Sequence, residues 1–299
     1  MQNIPLFYKI ILFILLFFII YYSVFKIINY EKYSKSKKHK KIIAVVSRYN
    51  EDLKWINTDP FNKFKYIVYN KGPNDNFDKT NVIKIIKLEN VGRESHTYLY
   101  HICNNYDNLD DITIFLPGSI DAFQKKVVAK DMLESIDKYH KAFLLCQPIN
   151  NILKKMEYNF KINQYKCTNK QNYSLNNTIK IGKSKIRPFG KWYCKHINNK
   201  FNLDNLSFNC IISVDKRDIL NHPKKFYHNL LNEVNSYSNP ETGHYLERSW
   251  SNLFKLKFTI IKNDIFLQHL IIYIYQLLNK MKIYYNSEIC QWSLFRKIM

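Results

Sequence analysis

The sequence predicts an α/β fold, a single domain on a largely parallel sheet, and three observations carry that expectation. Short apolar runs recur between turns rich in Asn, Gly and Pro, as in KIIAVVSRYNED and FKYIVYNKGPND. A segment with helical periodicity separates the third run from the fourth. The fourth run, ITIFL, is apolar but for Thr113 and carries no charge, as expected of a strand covered on both faces by crossover helices.

Taken in order, the runs from Lys41, Phe64 and Asn81 read as strands, the last leading into the turn Asn90-Val91-Gly92-Arg93. Val91, Ser95, Tyr98, Leu99, Ile102, Cys103 and Tyr106 then recur every three or four residues, which makes one buried helix face. After ITIFL come a helix and a strand in KDMLESIDKYHKAFLLC, then an Asn- and Lys-rich excursion, KCTNKQNYSLNNTIKIGKSK. IRPFGKWYCKHI reads as a loop dense in aromatics and cations. CIISVDKRDILNHP reads as a strand and a short helix stopped by Pro223, KKFYHNLLNEVNSY as a helix, and PETGHYLERSWSNLF as a helix with Tyr245, Leu246, Ser249, Trp250 and Leu253 along one side. The domain is set at residues 42–262.

Outside it, Ile10 to Phe25 form sixteen residues without a charge, and counting back through Lys9 to Ile4 gives a stretch of twenty-two. At 1.5 Å per residue that crosses about 30 Å of hydrocarbon. No small-x-small cleavage site follows, so residues 1–30 are expected to be an uncleaved transmembrane anchor. Residues 31–41 form a basic linker with six lysines and one glutamate. This asymmetry favours a cytoplasmic domain, but orientation stays open. Residues 263–299 are hydrophobic but interrupted by Gln268, His269 and Gln276, which suits a packed or amphipathic helical extension better than a second span.

The net charge of +22 suits an anionic partner. It also accompanies a general excess of Lys, Asn, Ile and Tyr that scatters lysines without selecting a patch. No helix-turn-helix, zinc-finger or RNA-binding signature accompanies it, so no specific nucleic-acid partner is expected. The six cysteines stand far apart with no C-x-x-C pair, which argues against a zinc ribbon or a dense disulfide framework.

Three constellations carry chemistry. In RYNED, at the carboxyl end of the first strand, Tyr49, Asn50 and Glu51 stand where open α/β sheets bind ligands, although the same residues suit a turn and a helix cap. In ENVGRE, Asn90 and Gly92 make a tight turn, the following helix offers free N–H groups to an anion, Arg93 adds a forked donor, and Glu94 orients that fork or bonds a sugar hydroxyl. His96 and His101, five apart, share no helix face and are no metal pair. In GHYLERSW, Glu247 is a candidate general base beside Arg248 and Trp250, or one half of a helical ion pair. Arg187, Lys191, Trp192 and Tyr193 suit either a sugar-stacking, phosphate-neutralising loop or an aromatic core with solvated cations.

The motifs VVSRYNEDLKWI, YNKG, ENVGRESHTYLYHICNNYDNL, TIFLPGS, FGKWY and PKKFYHNLL…GHYLERSWSNLF fall in an order similar to that of the family catalogued as domain of unknown function 3431, over about residues 42 to 256. A weaker likeness links Tyr49-Asn50-Glu51, then Asn90, Gly92 and Arg93, then ITIFL, to inverting nucleotide-sugar glycosyltransferases. That resemblance implies a glycosyltransferase-A-like fold and a nucleotide-sugar donor held by Tyr49, Asn50, Glu51, Asn90, Gly92, Glu94 and Gly118. It also implies a base in Glu247. After ITIFL, however, stand Pro117, Gly118 and Ser119, with Asp121 alone and no Asp-x-Asp, so a divalent metal is doubtful. Arg93, Arg187 and Arg248 are then the cations expected at the diphosphate, and Trp192 the ring expected at the sugar. The expected function is a membrane-anchored, metal-independent glycosyltransferase-like enzyme acting on an acceptor hydroxyl of a glycan or other molecule. The alternative is a non-catalytic tethered module for an anionic glycan, lipid or protein.

Overall fold

The computed structural model describes residues 40–163, 181–254 and 259–261. The expected membrane anchor, most of the basic linker, most of the Asn-rich excursion and the C-terminal extension lie outside the described residues. Among the described residues, no helix is long and apolar enough to cross a membrane.

Four parallel strands and one antiparallel strand form the central sheet. In chain order they are β1 (Ile42–Arg48), β2 (Tyr66–Asn70), β3 (Val82–Lys87), β4 (Ile112–Pro117) and β8 (Ile212–Asp215). Their spatial order is β3-β2-β1-β4-β8. The first three neighbouring pairs are parallel, and β8 runs against β4, with Phe115 opposite Ile212. The expectation of a largely parallel sheet in one α/β domain is met, with β8 as the antiparallel edge. β3, the other edge, carries exposed Lys84 and Lys87, charges that discourage pairing with another chain.

The period-two alternation of the strands builds two cores. Val45, Tyr69 and Phe115 point to one face, where they meet Tyr98, Leu99 and Ile102 of α1 (Arg93–Asn105). Ala44, Val46, Val68, Ile114 and Leu116 point to the other, where they meet Met132, Leu133 and Ile136 of α2 (Phe123–Tyr139). All six residues of β4 are buried, because helices cover it on both sides. The predicted helix face on α1 is the one that packs, with Ser95, Tyr98, Leu99, Ile102 and Cys103 buried.

The second half of the chain adds to the α1 side. Its helices are α3 (Asn151–Tyr158), α4 (Phe189–His196), α5 (Lys216–Leu220), α6 (Lys224–Asn232) and α7 (Glu241–Leu253). A second sheet joins β5 (Leu144–Pro148) to β7 (Asn205–Leu206) and β10 (Thr259–Ile261), and β6 (Ile181–Gly182) pairs with β9 (Asn239–Pro240). The expected RPFGKWY loop is in fact the start of α4. Its aromatics recur at helical spacing and are drawn into the core, with Phe189, Trp192 and Tyr193 buried.

Candidate functional site

In a parallel sheet the helix after each strand starts at that strand's carboxyl end, so α1 and α2 open on the same rim. Because β8 is antiparallel and Ile212 pairs with Phe115, residues 209–211 continue past β4 toward that rim too. There a cavity of about 200 Å³ is lined by Arg93 and Glu94 of α1, Lys125 of α2, Asn209 and Cys210 before β8, and Gly243, His244 and Glu247 of α7. Glu247, His244 and Gly243 stand three and four residues apart, on one face of their helix.

The backbone around the cavity is strained. Gly92 at φ 64 begins α1, and Arg93 follows at φ 50. Asn209 at φ 69 and Cys210 at φ 54 are two consecutive left-handed residues, each costing about 1 kcal/mol or more. Both are held by hydrogen bonds. The Asn209 N–H donates to Glu247 Oε1 at 2.6 Å, and buried Tyr98 donates its hydroxyl to the Cys210 carbonyl at 2.7 Å. Three of the six left-handed non-glycine residues among those described line this one cavity. Gly92 has no substitute, since a Cβ there would stand 2.3 Å from the Val234 carbonyl oxygen.

The two carboxylates of the cavity are driven apart. Burial by itself would raise Glu94, but Arg93, Lys125 and Lys71 outweigh it and hold its carboxyl at about 2. Arg93 Nε lies 3.3 Å from Glu94 Oε2, and Glu94 also sits in the first turn of α1, where the helix dipole favours an anion. Glu247 is raised: burial dominates, and the opposing pull of Arg93, Arg248 and the Asn209 N–H does not cancel it. His244 is lowered to about 3 by burial and by Arg93 and Arg248, so it is a neutral imidazole, with Nε2 3.0 Å from Asn239 Oδ1. Behind the Arg93 turn, buried Lys71 donates to the carbonyls of Val91 and Arg93 at 2.5 and 2.6 Å, and burial lowers it to about 7.

Of the residues singled out from the sequence, Arg93, Glu94 and Glu247 meet at the cavity. Gly92 shapes the turn that presents the first two. Glu51 and Gly118 sit next door, at the switch point between β1 and β4. The Glu51 carboxylate accepts the N–H groups of Tyr49 and Asn50 at 2.8 and 3.1 Å, capping its own turn, and a Cβ on Gly118 would stand 2.7 Å from Glu51 Oε2. The neighbouring Ser119 hydroxyl accepts from Lys125 Nζ at 2.7 Å, which ties this corner to the cavity wall. Tyr49 and Asn50 are half-buried beside it, and Asn90 is exposed on the approach to Gly92.

The remaining three are not brought to the cavity wall. Arg187 pairs at 2.8 Å with the fully buried Glu241. Arg248 pairs at 2.8 Å with Glu157 and lies 3.6 Å over the Phe160 ring; it reaches the site through a hydrogen bond to the His244 carbonyl at 3.2 Å and through its field on Glu247 and His244. Trp192 is fully buried, stacked near Phe189 and His196, with its indole N–H directed at Glu233. The sequence reading missed Lys125, Asn209, Cys210, His244 and Lys71. His244 was accessible, being three residues before Glu247 on the same helix. Lys125 and Lys71 were hidden by the abundance of lysine, and the left-handed pair by the absence of glycine.

Among the described residues no group of three His, Cys, Asp or Glu side chains is placed to hold a metal ion. The arrangement offers two cations, one carboxylate fixed as an anion and one of raised basicity. Such a set can hold an anionic group while moving a proton.

No curated protein and no solved structure matches the chain. The family model described as "Protein of unknown function (DUF3431)" matches residues 43–264, well over half of the sequence, with the cavity residues inside it. The chain belongs to the DUF3431 family.

Proposed function

We propose that the cavity is the reaction centre of a membrane-anchored, glycosyltransferase-like enzyme that moves a sugar from a nucleotide-sugar to an acceptor hydroxyl. The observation that carries this reading is the pair Glu94 and Glu247 on one cavity, with their carboxyls driven in opposite directions. Carboxylates separated in this way divide the roles of anion and proton acceptor. A raised carboxylate is the better base, because its conjugate acid lies nearer the working pH.

In this reading Glu247 takes the proton of the acceptor hydroxyl as its oxygen bonds to the anomeric carbon. The bond from that carbon to the diphosphate oxygen breaks on the opposite side. The charge leaving with the diphosphate meets Arg93, Lys125 and the positive end of the α1 dipole. Glu94 holds sugar hydroxyls and keeps Arg93 in place. A volume of about 200 Å³ is below the range of about 300–1,000 Å³ usual for whole ligands. It suits the transferred ring with part of the diphosphate, and the nucleoside then extends over the strand ends at Tyr49, Asn50 and Glu51, as in a glycosyltransferase-A-like arrangement.

The test is a panel of nucleotide-sugars, read by thermal shift and by release of nucleoside diphosphate. One donor is expected to stabilise the protein and to be turned over. Glu247→Gln should keep the stabilisation and lose turnover by at least a hundredfold, about the scale of general-base catalysis, while Arg93→Ala should weaken both. No stabilisation by any donor defeats the proposal. Binding of an anionic glycan or lipid that survives both substitutions favours the non-catalytic module.

A further inference from the structure

Helix α3 buries none of its eight residues. One side is fastened by polar and aromatic contacts: Glu157 to Arg248, Lys154 to Asp204 at 3.0 Å, and Tyr158 edge-on to Phe201. The other side presents Ile152, Leu153 and Met156, which are 72%, 43% and 63% exposed and stand at the spacing of one helical stripe. A helix this short has little stability of its own in water and depends on what its apolar face packs against. Three large apolar side chains together in solvent are out of keeping with that need.

The position of β10 indicates what covers them. β10 runs parallel to β5, with Ile261 level with Cys146. β5 ends at Pro148 and α3 starts at Asn151, so the chain leaves β10 at residue 262 heading for the same end of the sheet from which α3 rises. Only Lys262, Asn263 and Asp264 intervene before IFLQHLIIYIYQLL, residues 265–278, a stretch of fourteen without a charge. Three residues reach about 10 Å when extended. As a helix the fourteen would span about 21 Å, short of the roughly 30 Å of a bilayer core. The stretch is therefore too short to span a bilayer, and it begins within a short reach of an uncovered apolar stripe.

We propose that residues 265–278 of this chain dock on the Ile152–Leu153–Met156 face of α3. This contact clamps α3 against the domain and, through Glu157, steadies Arg248 behind the cavity.

The test places a photo-crosslinking benzophenone amino acid at Met156 in the full-length protein in membranes, followed by peptide mapping. Because Met156 is exposed on the described fold, the substitution leaves folding intact; a second probe at Ile152 repeats the measurement. The expected dominant product joins either site to residues 265–278 of the same molecule. Adducts only with lipid, adducts between two copies, or no adduct at all would each overturn the proposal. A lysate protein captured in place of residues 265–278 would overturn it as well.

Discussion

Lys71 is buried, and its ammonium is lowered to about 7 chiefly by desolvation, while Glu94 pulls it up and Arg93 pushes it down. In the unfolded chain the same group holds its proton up to about 10.5. Between those values the unfolded state binds the extra proton, so raising the pH favours the fold. The contribution is complete above 10.5 and is lost as pH falls through 7. In the window from pH 7 to 8.5 it is the largest contribution. The buried imidazoles of His96, His101 and His244 are lowered to about 4, 4 and 3 and are already neutral there. The buried thiols of Cys103 and Cys146 are raised to about 11 and still protonated. At about 1.4 kcal/mol per pH unit, allowing for the half-titrated start, the gain over this window is roughly 1.5–2 kcal/mol. Urea unfolding followed by tryptophan fluorescence, at half-unit steps of pH, should show that rise in the native protein and a flat line in Lys71→Met. A rise that persists in the variant, or none in the native protein, would refute this account of the turn that presents Arg93.

Other expectations follow from the same contacts. Gly92→Ala puts a Cβ 2.3 Å from the Val234 carbonyl oxygen at φ 64 and should cost about 3 kcal/mol or more by denaturant titration; a cost below about 1 would mean the turn is looser than described. Tyr98→Phe removes the buried donor to the Cys210 carbonyl and should cost about 1–3 kcal/mol in the same assay, with a wild-type midpoint as the contrary result. The lowered imidazoles of His96, His101 and His244 favour the fold fully above their ordinary value near 6.5, and that contribution is lost as pH falls toward 4. Unfolding at pH 5.5 should therefore take up roughly two to three protons by these groups, measured by calorimetry in buffers of different ionisation enthalpy.

The strands of the sheet were legible as short apolar runs closed by turns rich in Asn, Gly and Pro, and ITIFL announced its double cover by having no charged position and only Thr113 as a polar one. Helix α1 was legible for the same kind of reason, its apolar residues falling on one stripe. What the sequence concealed was mostly long-range. Nothing local to CIISVD tells that its strand runs against β4, yet that reversal is what carries Asn209 and Cys210 to the rim. Trp192 and Arg187 had the composition of a ligand loop, but Trp192 lies on the inward face of a helix and Arg187 answers a buried glutamate far along the chain. Glu94 and Glu247 were both visible as candidates. Their opposed acidities were not, because that of Glu247 comes from burial that only the fold creates, and that of Glu94 from Arg93 together with Lys125 and Lys71, lysines indistinguishable in the sequence from their many neighbours.

The crystal structure of the Glu247→Gln variant soaked with nucleotide-sugars bears most directly on the central claim, that one cavity at the carboxyl rim gathers Arg93, Glu94 and Glu247 for catalysis. A sugar ring is expected within hydrogen-bonding distance of Glu94 and of the amide introduced at position 247, with diphosphate oxygens against Arg93 and Lys125. Donor bound on another surface, or a cavity closed by its own side chains to every donor tried, would contradict it.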